Sequence, residues 1–169
     1  MDSDQLKSLM GKDPYLKQYK CTILEEKELP EILSPNEGYF VLLPGIRKNV
    51  GHWILLESFD VAAHGFSYWD PLGQNPSTTT HEKLLKSSLV YQAPLFINAY
   101  IWQLSGTVIC GAICIYLGLL RSRGFSPQII LTQKTSGDAR TDAMIIVDII
   151  NSLLGSRFPK VPRFSLDFL

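Results

Sequence analysis

A long apolar run, from Val108 to Leu120, constrains the fold of this chain more than any other segment. It contains about 13 residues, whereas a helix that spans a membrane needs roughly 20. We therefore predict a helix at Cys110–Arg123 that is buried in a protein core and ends at Gly124 and Pro127. No membrane span or membrane anchor is expected.

The composition is that of a globular protein in which residues 1–169 form a single domain. Hydrophobic residues make up 46% and charged residues only 19%, which is enough apolar material for a sizeable core. Lys plus Arg and Asp plus Glu each number 16, and no basic block stands out. Strong electrostatic binding of nucleic acid is therefore not supported, although a basic patch assembled in three dimensions stays open. An odd number of cysteines, 3, and an acidic start without an apolar signal core favour free thiols in an intracellular compartment and no secretion.

The order of predicted elements is typical of an α+β fold, with a central mixed or antiparallel sheet and helices on its faces. Short connections join three β-rich runs, which predicts an antiparallel meander at Tyr39–Leu43, Gly51–Glu57 and Phe66–Asp70. A further strand is predicted around Tyr100–Trp102. Besides the apolar helix, helical spacing predicts helices at Asp4–Met10, Thr80–Gln92 and Thr141–Leu154. We expect irregular structure at Tyr15–Leu24 and a loop at Ile129–Arg140.

The start of the apolar helix has the residues that a nucleophilic thiol requires. Gln103 lies seven positions before Cys110, and Gly111 follows Cys110 directly. A thiol that attacks an acyl carbon must be deprotonated, and the oxygen that becomes negative must meet hydrogen-bond donors. The side chain of Gln103 and the backbone N–H of Cys110 can provide two donors. The positive end of a helix beginning here would also lower the pKa of the thiol.

A cysteine nucleophile also needs a base and a group that orients the base. His52 on the second predicted strand is the candidate base, and Asp70 at the end of the third strand is the candidate orienter. If the two strands pair as a hairpin, their ends lie side by side. His64 and His81 would replace His52 only if the strand assignment were wrong. Asp60 is a weaker rival to Asp70, because it precedes a turn rather than a Pro-x-Gly segment.

Each of these residues also has a purely structural interpretation. Cys110 alone would be read as a buried apolar thiol, and Asp70 alone as a turn aspartate. His52 would be a strand histidine beside a core tryptophan, and Gln103 would cap backbone groups. The four residues together, in the order His, Asp, Gln, Cys, favour the chemical interpretation.

The other two cysteines are expected to be structural. Cys114 lies one helical turn after Cys110 in an apolar setting and is predicted to be core, and Cys21 is predicted to be a structural thiol. A metal shared by Cys110 and Cys114 is disfavoured, because no further ligands accompany the C-x-x-x-C spacing. No metal or other cofactor is required by the sequence.

These motifs, in this order, resemble those of the adenovirus maturation endopeptidase (adenain) and its relatives in other large DNA viruses, virophages and virus-like transposons. The resemblance covers about residues 5 to 125, and SUMO-deconjugating proteases share the same core pattern. The matching segments are Gln5-Leu6-Lys7 to Pro14-Tyr15-Leu16, His52-Trp53, Asp70-Pro71-Leu72-Gly73, and Gln103 through Cys110-Gly111.

The resemblance implies a papain-like cysteine protease fold with permuted elements and the active-site cysteine at the N-terminus of a buried helix. It implies an endopeptidase that cleaves viral capsid and core precursor polypeptides after glycine during virion maturation. Such a protein is expected to be a monomer in the virion and in the host-cell nucleus or a cytoplasmic virus factory. The implied roles are general base for His52, orienter for Asp70, nucleophile for Cys110, oxyanion donor for Gln103, and substrate contacts for Gly51 and Trp53 beside the cleft.

The chain departs from the adenovirus enzyme in two respects. That enzyme has a glutamate where Asp70 stands, although other members of the clan use aspartate. It is also activated by a viral peptide that forms a disulfide with a cysteine between its acidic residue and its glutamine, and residues 71–102 here contain no cysteine. A disulfide-linked peptide activator is therefore not expected at that position, and the balanced charge disfavours DNA as an activator.

Three other functions share this residue order. A protease that deconjugates SUMO or ubiquitin-like proteins also cuts after glycine. An acyltransferase is another alternative, because bacterial effector acetyltransferases have His, an acidic residue and Cys in the same order. The last alternative is an inactive scaffold that retains the fold and binds partners.

Overall fold

A five-stranded mixed sheet organises the part of the chain that the structure, a computed structural model, describes: residues 3–43, 51–98, 100–103, 109–132 and 139–154. Its strands stand side by side in sequence order. The three central strands are antiparallel, whereas each edge strand is parallel to its neighbour. The strands are β1 (Lys20–Glu25), β2 (Glu37–Leu43), β3 (His52–Glu57), β4 (Phe66–Trp69) and β5 (Leu95–Ile97).

Helices cover both faces of this sheet, which confirms the predicted α+β class. None of the helices in the described ranges is long and apolar enough to cross a membrane. The helices are α1 (Ser3–Met10), α2 (Val61–His64), α3 (Thr78–Tyr91), α4 (Cys110–Ser122), α5 (Pro127–Thr132) and α6 (Ala139–Leu154), with short 3-10 turns at Leu16–Gln18 and Glu26–Glu28.

The central strand β3 is apolar on both sides because a separate core lies against each face. Trp53 and Leu55 pack in the core that contains α4, with residues from α1 and α6. Ile54 and Leu56 point to the opposite face, where they pack with Leu84 of α3. This alternation follows from the two-residue period of a strand. The apolar helix α4 is therefore a core element, as its composition predicted.

Three predictions about local structure are wrong. Tyr15–Leu24 was expected to be irregular, but β1 occupies its second half and pairs with β2 in parallel. The strand expected around Tyr100–Trp102 lies earlier, at Leu95–Ile97. Both are edge strands whose residues are mostly half-buried, so they lack a clear alternation of apolar and polar residues.

The third wrong prediction is the loop at Ile129–Arg140. Helix α5 begins at Pro127, and Ser126 caps it by accepting a hydrogen bond from the Ile129 N–H at 3.2 Å. Serine followed by proline is a favoured start for a helix, because proline lacks an N–H that would be left unpaired there. The next helix, α6, begins at Ala139, and residues 133–138 of the expected loop lie outside the described part of the chain.

A buried ion pair joins the end of β3 to the end of α4. The Arg121 Nε donates to Glu57 Oε1 at 2.7 Å, and both side chains are fully buried. The same carboxylate accepts hydrogen bonds from the Trp69 indole at 3.2 Å and the Phe59 N–H at 3.0 Å. Because the charge of Arg121 is paired with that of Glu57, the two side chains can be buried in the core. Their contact fixes the position of the C-terminal end of α4.

We expect Arg121→Met to lower the free energy of unfolding by about 3–5 kcal/mol, because Glu57 would then be a buried charge without its counter-ion. Urea unfolding followed by circular dichroism measures the change. Lys20→Met is the matched control, since it removes an exposed partner of Glu37 and should shift the midpoint much less. Equal midpoints for the two variants would contradict the stabilising role of the buried pair.

Candidate active site

The pairing of β3 with β4 brings His52 and Asp70 together, as the sequence predicted. The register places Leu55 opposite Trp69, so the start of β3 lies beside the residues that follow β4. His52 Nε2 and Asp70 Oδ1 are 2.7 Å apart. The imidazole is half-buried, and the carboxylate side chain is only 1% exposed. Because the carboxylate can accept but not donate when ionised, it holds the Nε2–H tautomer of the ring.

The turn after β4 holds the Asp70 carboxylate in place. The Leu72 N–H donates to Oδ1 at 2.7 Å, and the Tyr68 hydroxyl donates to Oδ2 at 3.4 Å. The Gly73 N–H donates to the main-chain carbonyl of Asp70 at 2.9 Å, and Gly73 has a φ of 68°. The Pro-x-Gly segment is therefore a turn that requires glycine and delivers a backbone donor to the carboxylate.

Cys110 is the first residue of α4, and its sulfur faces the His52 ring. The thiol accepts a hydrogen bond from the Trp53 N–H at 3.4 Å and interacts with the Gly111 N–H. The thiol and the His52 ring also shift each other's pKa, which indicates that the two side chains lie close together. Since Nε2 of the ring is paired with Asp70, Nδ1 is the nitrogen left for the sulfur. The expected convergence of Asp70, His52 and Cys110 is therefore present in the structure.

The electrostatics of this group favour a thiolate beside an imidazolium. Burial by itself would raise the pKa of the Cys110 thiol, but hydrogen bonds from His52 and the Trp53 N–H lower it below its ordinary value of 9.0. Burial by itself would lower the pKa of His52, but hydrogen bonds with Asp70 and Cys110 raise it to about 9. Both shifts favour the proton on the ring, and the stabilised thiolate is a stronger nucleophile than the protonated thiol.

Gln103 is attached to the turn that contains Asp70. The N–H groups of Trp102 and Gln103 both donate to the Pro71 carbonyl, at 2.8 and 3.1 Å. Gln103 is only 2% exposed, and its Oε1 has no hydrogen-bond partner among the described residues. Residues 104–108 lie outside the described part of the chain. The structure thus places Gln103 beside the acid, and its role as an oxyanion donor stays a prediction.

The two predicted substrate contacts, Gly51 and Trp53, have structural reasons of their own. Trp53 is only 3% exposed and packs in the α4 core, and its backbone N–H contacts the thiol. Gly51 is exposed next to His52, and a Cβ there would overlap the Leu42 side chain. The substrate contacts of both residues remain predictions.

The rival residues have different surroundings. Asp60 accepts a hydrogen bond from the Ala63 N–H at 3.1 Å and caps α2. His64 is the last residue of that helix. His81 lies within α3. Asp70 pairs with His52, so the structure brings together the two residues that the sequence analysis preferred.

Cys114 is a core thiol, as predicted, and Cys21, which was expected to be structural, is half-buried. Cys114 is fully buried and donates to the Trp53 carbonyl at 3.3 Å, and burial raises its pKa well above the ordinary value. Burial also raises the pKa of Cys21 to about 12. Among the described residues, no group of three or more His, Cys, Asp or Glu side chains is arranged to hold a metal ion.

Two residues that support the site were missed by the sequence analysis. Tyr68 lies two positions before Asp70, and this strand spacing could have suggested its contact with the carboxylate. Asn98 donates to the Asp70 carbonyl at 3.0 Å from 28 positions away. No local pattern indicates such a contact.

A scan against protein-family models finds no match to this chain, and a search of curated proteins finds no significant match. The functional argument therefore depends on the arrangement of these side chains.

We expect iodoacetamide to alkylate Cys110 at a pH at which Cys21 and Cys114 do not react in the folded protein. Alkylation requires the thiolate, and the pKa is lowered for Cys110 but raised for the other two thiols. As the pH falls, Cys110 should lose reactivity only below its lowered pKa. Mass mapping of labelled peptides from pH 5 to 10 measures the three profiles, and a Cys110 no faster than Cys21 would contradict the ion pair.

Asp70→Asn is the informative variant in that experiment. It removes the negative charge that stabilises the imidazolium, so the pKa of His52 should fall and that of Cys110 should rise. The inflection for Cys110 should therefore move to higher pH, while the profile of Cys21 should not change.

Proposed function

We propose that this chain is a cysteine endopeptidase that acts through an acyl-enzyme on Cys110. The observation that supports it is that the His52 imidazole hydrogen-bonds the buried Asp70 carboxylate, while the thiol at the start of α4 accepts from the N–H of Trp53, the residue after His52. A nucleophile, a base and a group that orients the base in this relation are the signature of covalent acyl transfer.

The proposed reaction begins with attack of the Cys110 thiolate on the carbonyl carbon of the scissile peptide. The carbonyl oxygen becomes negative and is met by the backbone N–H of Cys110 and the side chain of Gln103. The His52 imidazolium then gives its proton to the leaving amine. Neutral His52 next takes a proton from water, which attacks the thioester and releases the second product.

Within this class, we assign the chain to the adenain-like branch, with a papain-like fold in permuted order. Support comes from the order of His52, Asp70, Gln103 and Cys110 and from the mixed sheet with its nucleophile at the start of a buried helix. The substrates would then be viral precursor polypeptides cut after glycine during virion maturation, in the virion or in infected cells. A peptide activator, if one exists, would act without a disulfide to residues 71–102, which contain no cysteine.

We expect Cys110→Ala to abolish cleavage of a Leu-x-Gly-x-Gly type peptide, because the attacking sulfur is lost. Cys21→Ala is the matched control, since it removes a half-buried thiol of β1 whose sulfur interacts with the Leu16 carbonyl, and it should leave turnover unchanged. Circular dichroism verifies that both variants fold.

Cleavage by Cys110→Ala at the wild-type rate would exclude the proposal. A wild-type protein that reacts with an electrophile made from the C-terminus of a ubiquitin-like protein, but does not cut the peptide, would instead indicate a deconjugating protease.

We expect Gln103→Ala to raise the barrier of the chemical step by about 2.7–4 kcal/mol, the usual cost of losing one oxyanion donor. The loss should appear in kcat, with KM little changed, because the charge on the oxygen exists only in the transition state. Steady-state kinetics separates the two constants. A change confined to KM would reject the oxyanion role.

A further inference from the structure

The Asn98 side chain is completely buried and uses its polar atoms on the backbone around the candidate site. Its Nδ2 donates to the Asp70 carbonyl at 3.0 Å and to the Tyr100 carbonyl at 3.2 Å. Its Oδ1 accepts from the Tyr100 N–H at 2.9 Å. Both amide hydrogens and the amide oxygen are thus occupied, so the side chain has a single well-defined orientation.

Asn98 is itself held by the sheet. It directly follows β5, and its N–H donates to the Tyr68 carbonyl at 2.9 Å, which extends the pairing of β4 with β5. The carboxamide therefore projects from a rigid element towards two less regular segments, the turn that begins at Asp70 and the segment 100–103.

These two segments contain the acid and the predicted oxyanion donor. The Asp70 carbonyl accepts from Asn98, and the next carbonyl, that of Pro71, accepts from the N–H groups of Trp102 and Gln103. Consecutive peptide groups at Asp70 and Pro71 are thus bound to residues 98 and 102–103. A shift of segment 100–103 would move the backbone of both Asp70 and Gln103.

We propose that Asn98 is a positioning residue that fixes Asp70 and Gln103 relative to each other, an inference that rests on the function proposed above. It touches neither the substrate nor the reacting atoms. It acts by tying the backbone of Asp70 to the segment that ends in Gln103, so that the imidazole and the oxyanion donor are aligned on the same carbonyl carbon.

Replacement of Asn98 tests this role. Asn98→Ala removes the contacts of the Asn98 side chain with the N–H and the carbonyl of Tyr100 and with the Asp70 carbonyl, which still accepts from the Gly73 N–H. Asn98→Asp keeps the shape and the acceptor for the Tyr100 N–H but removes both donations of the amide, to the Asp70 carbonyl and to the Tyr100 carbonyl. The second variant therefore separates the loss of the two donors from the loss of the acceptor.

The control is Ser87→Ala, which loses a comparable buried contact away from the site. Ser87 is completely buried, accepts from the Leu33 N–H at 2.8 Å and donates to the Lys83 carbonyl at 2.7 Å. It should lose stability but retain the properties of Cys110. All variants are measured below their unfolding temperatures, as determined by circular dichroism.

For both Asn98 variants, we expect kcat to fall by up to about 100-fold, the loss that a misplacement of about 1 Å can cause, with a smaller change in KM. We also expect the inflection of Cys110 alkylation to move upward by about half a pH unit, which is about a threefold loss of thiolate at pH values below the inflection. Ser87→Ala should show neither change. An unaltered alkylation profile and kcat in folded Asn98→Asp and Asn98→Ala would overturn the proposal.

The alkylation readout separates this inference from the proposed function. One outcome is that the wild-type chain cleaves no peptide while the Asn98 variants still shift the alkylation profile of Cys110. In that case Asn98 positions Asp70, and the endopeptidase assignment fails. If the wild-type chain cleaves and the Asn98 variants match Ser87→Ala in both readouts, the assignment stands and the positioning role is excluded.

Discussion

The hydrogen bond between His52 Nε2 and the buried Asp70 carboxylate is the interaction on which the candidate site depends. A histidine next to an apolar core would ordinarily be neutral, because burial disfavours its charged form. The Asp70 carboxylate, with help from the Cys110 thiol, reverses this preference and raises the pKa of His52. Without that carboxylate, the ring would stabilise the thiolate less, and Cys110 would be an ordinary buried thiol.

The sheet and helix α4 place these three groups together by means of two contacts at opposite ends of β3. Trp53 contacts Cys110 near the start of the strand, and Glu57 binds Arg121 at its end. Trp53 and Glu57 are four residue steps apart, roughly 13 Å along a strand, and Cys110 and Arg121 are eleven steps apart, about 16 Å along a helix, so the two spans are similar in length. The helix is thus held along the strand, and its first residue is fixed beside His52.

Much of the architecture was predictable because strong periodicity marks the central elements. The meander of β2, β3 and β4 and the helices α1, α3, α4 and α6 were predicted from apolar spacing. Half-buried strands have weak alternation, so the edge strand β1 was not predicted and the edge strand β5 was predicted a few residues too late. Helix α5 was not predicted because Pro127 was interpreted as the end of the preceding helix, whereas it begins the next one. In the site, the pairing of His52 with Asp70 and their convergence on Cys110 were also predicted.

Amino-acid order alone determined which residues could perform chemistry, because each reacting group is a side chain with its own inherent reactivity. It also determined that α4 is buried, since its apolar residues surround the helix. Only the tertiary structure decided that Asn98 ties the Asp70 backbone to the segment of Gln103, that Trp53 acts through its backbone, and that Arg121 neutralises Glu57 inside the core. Such contacts join residues far apart in the chain, and their free energy depends on distance and burial, which no local pattern specifies.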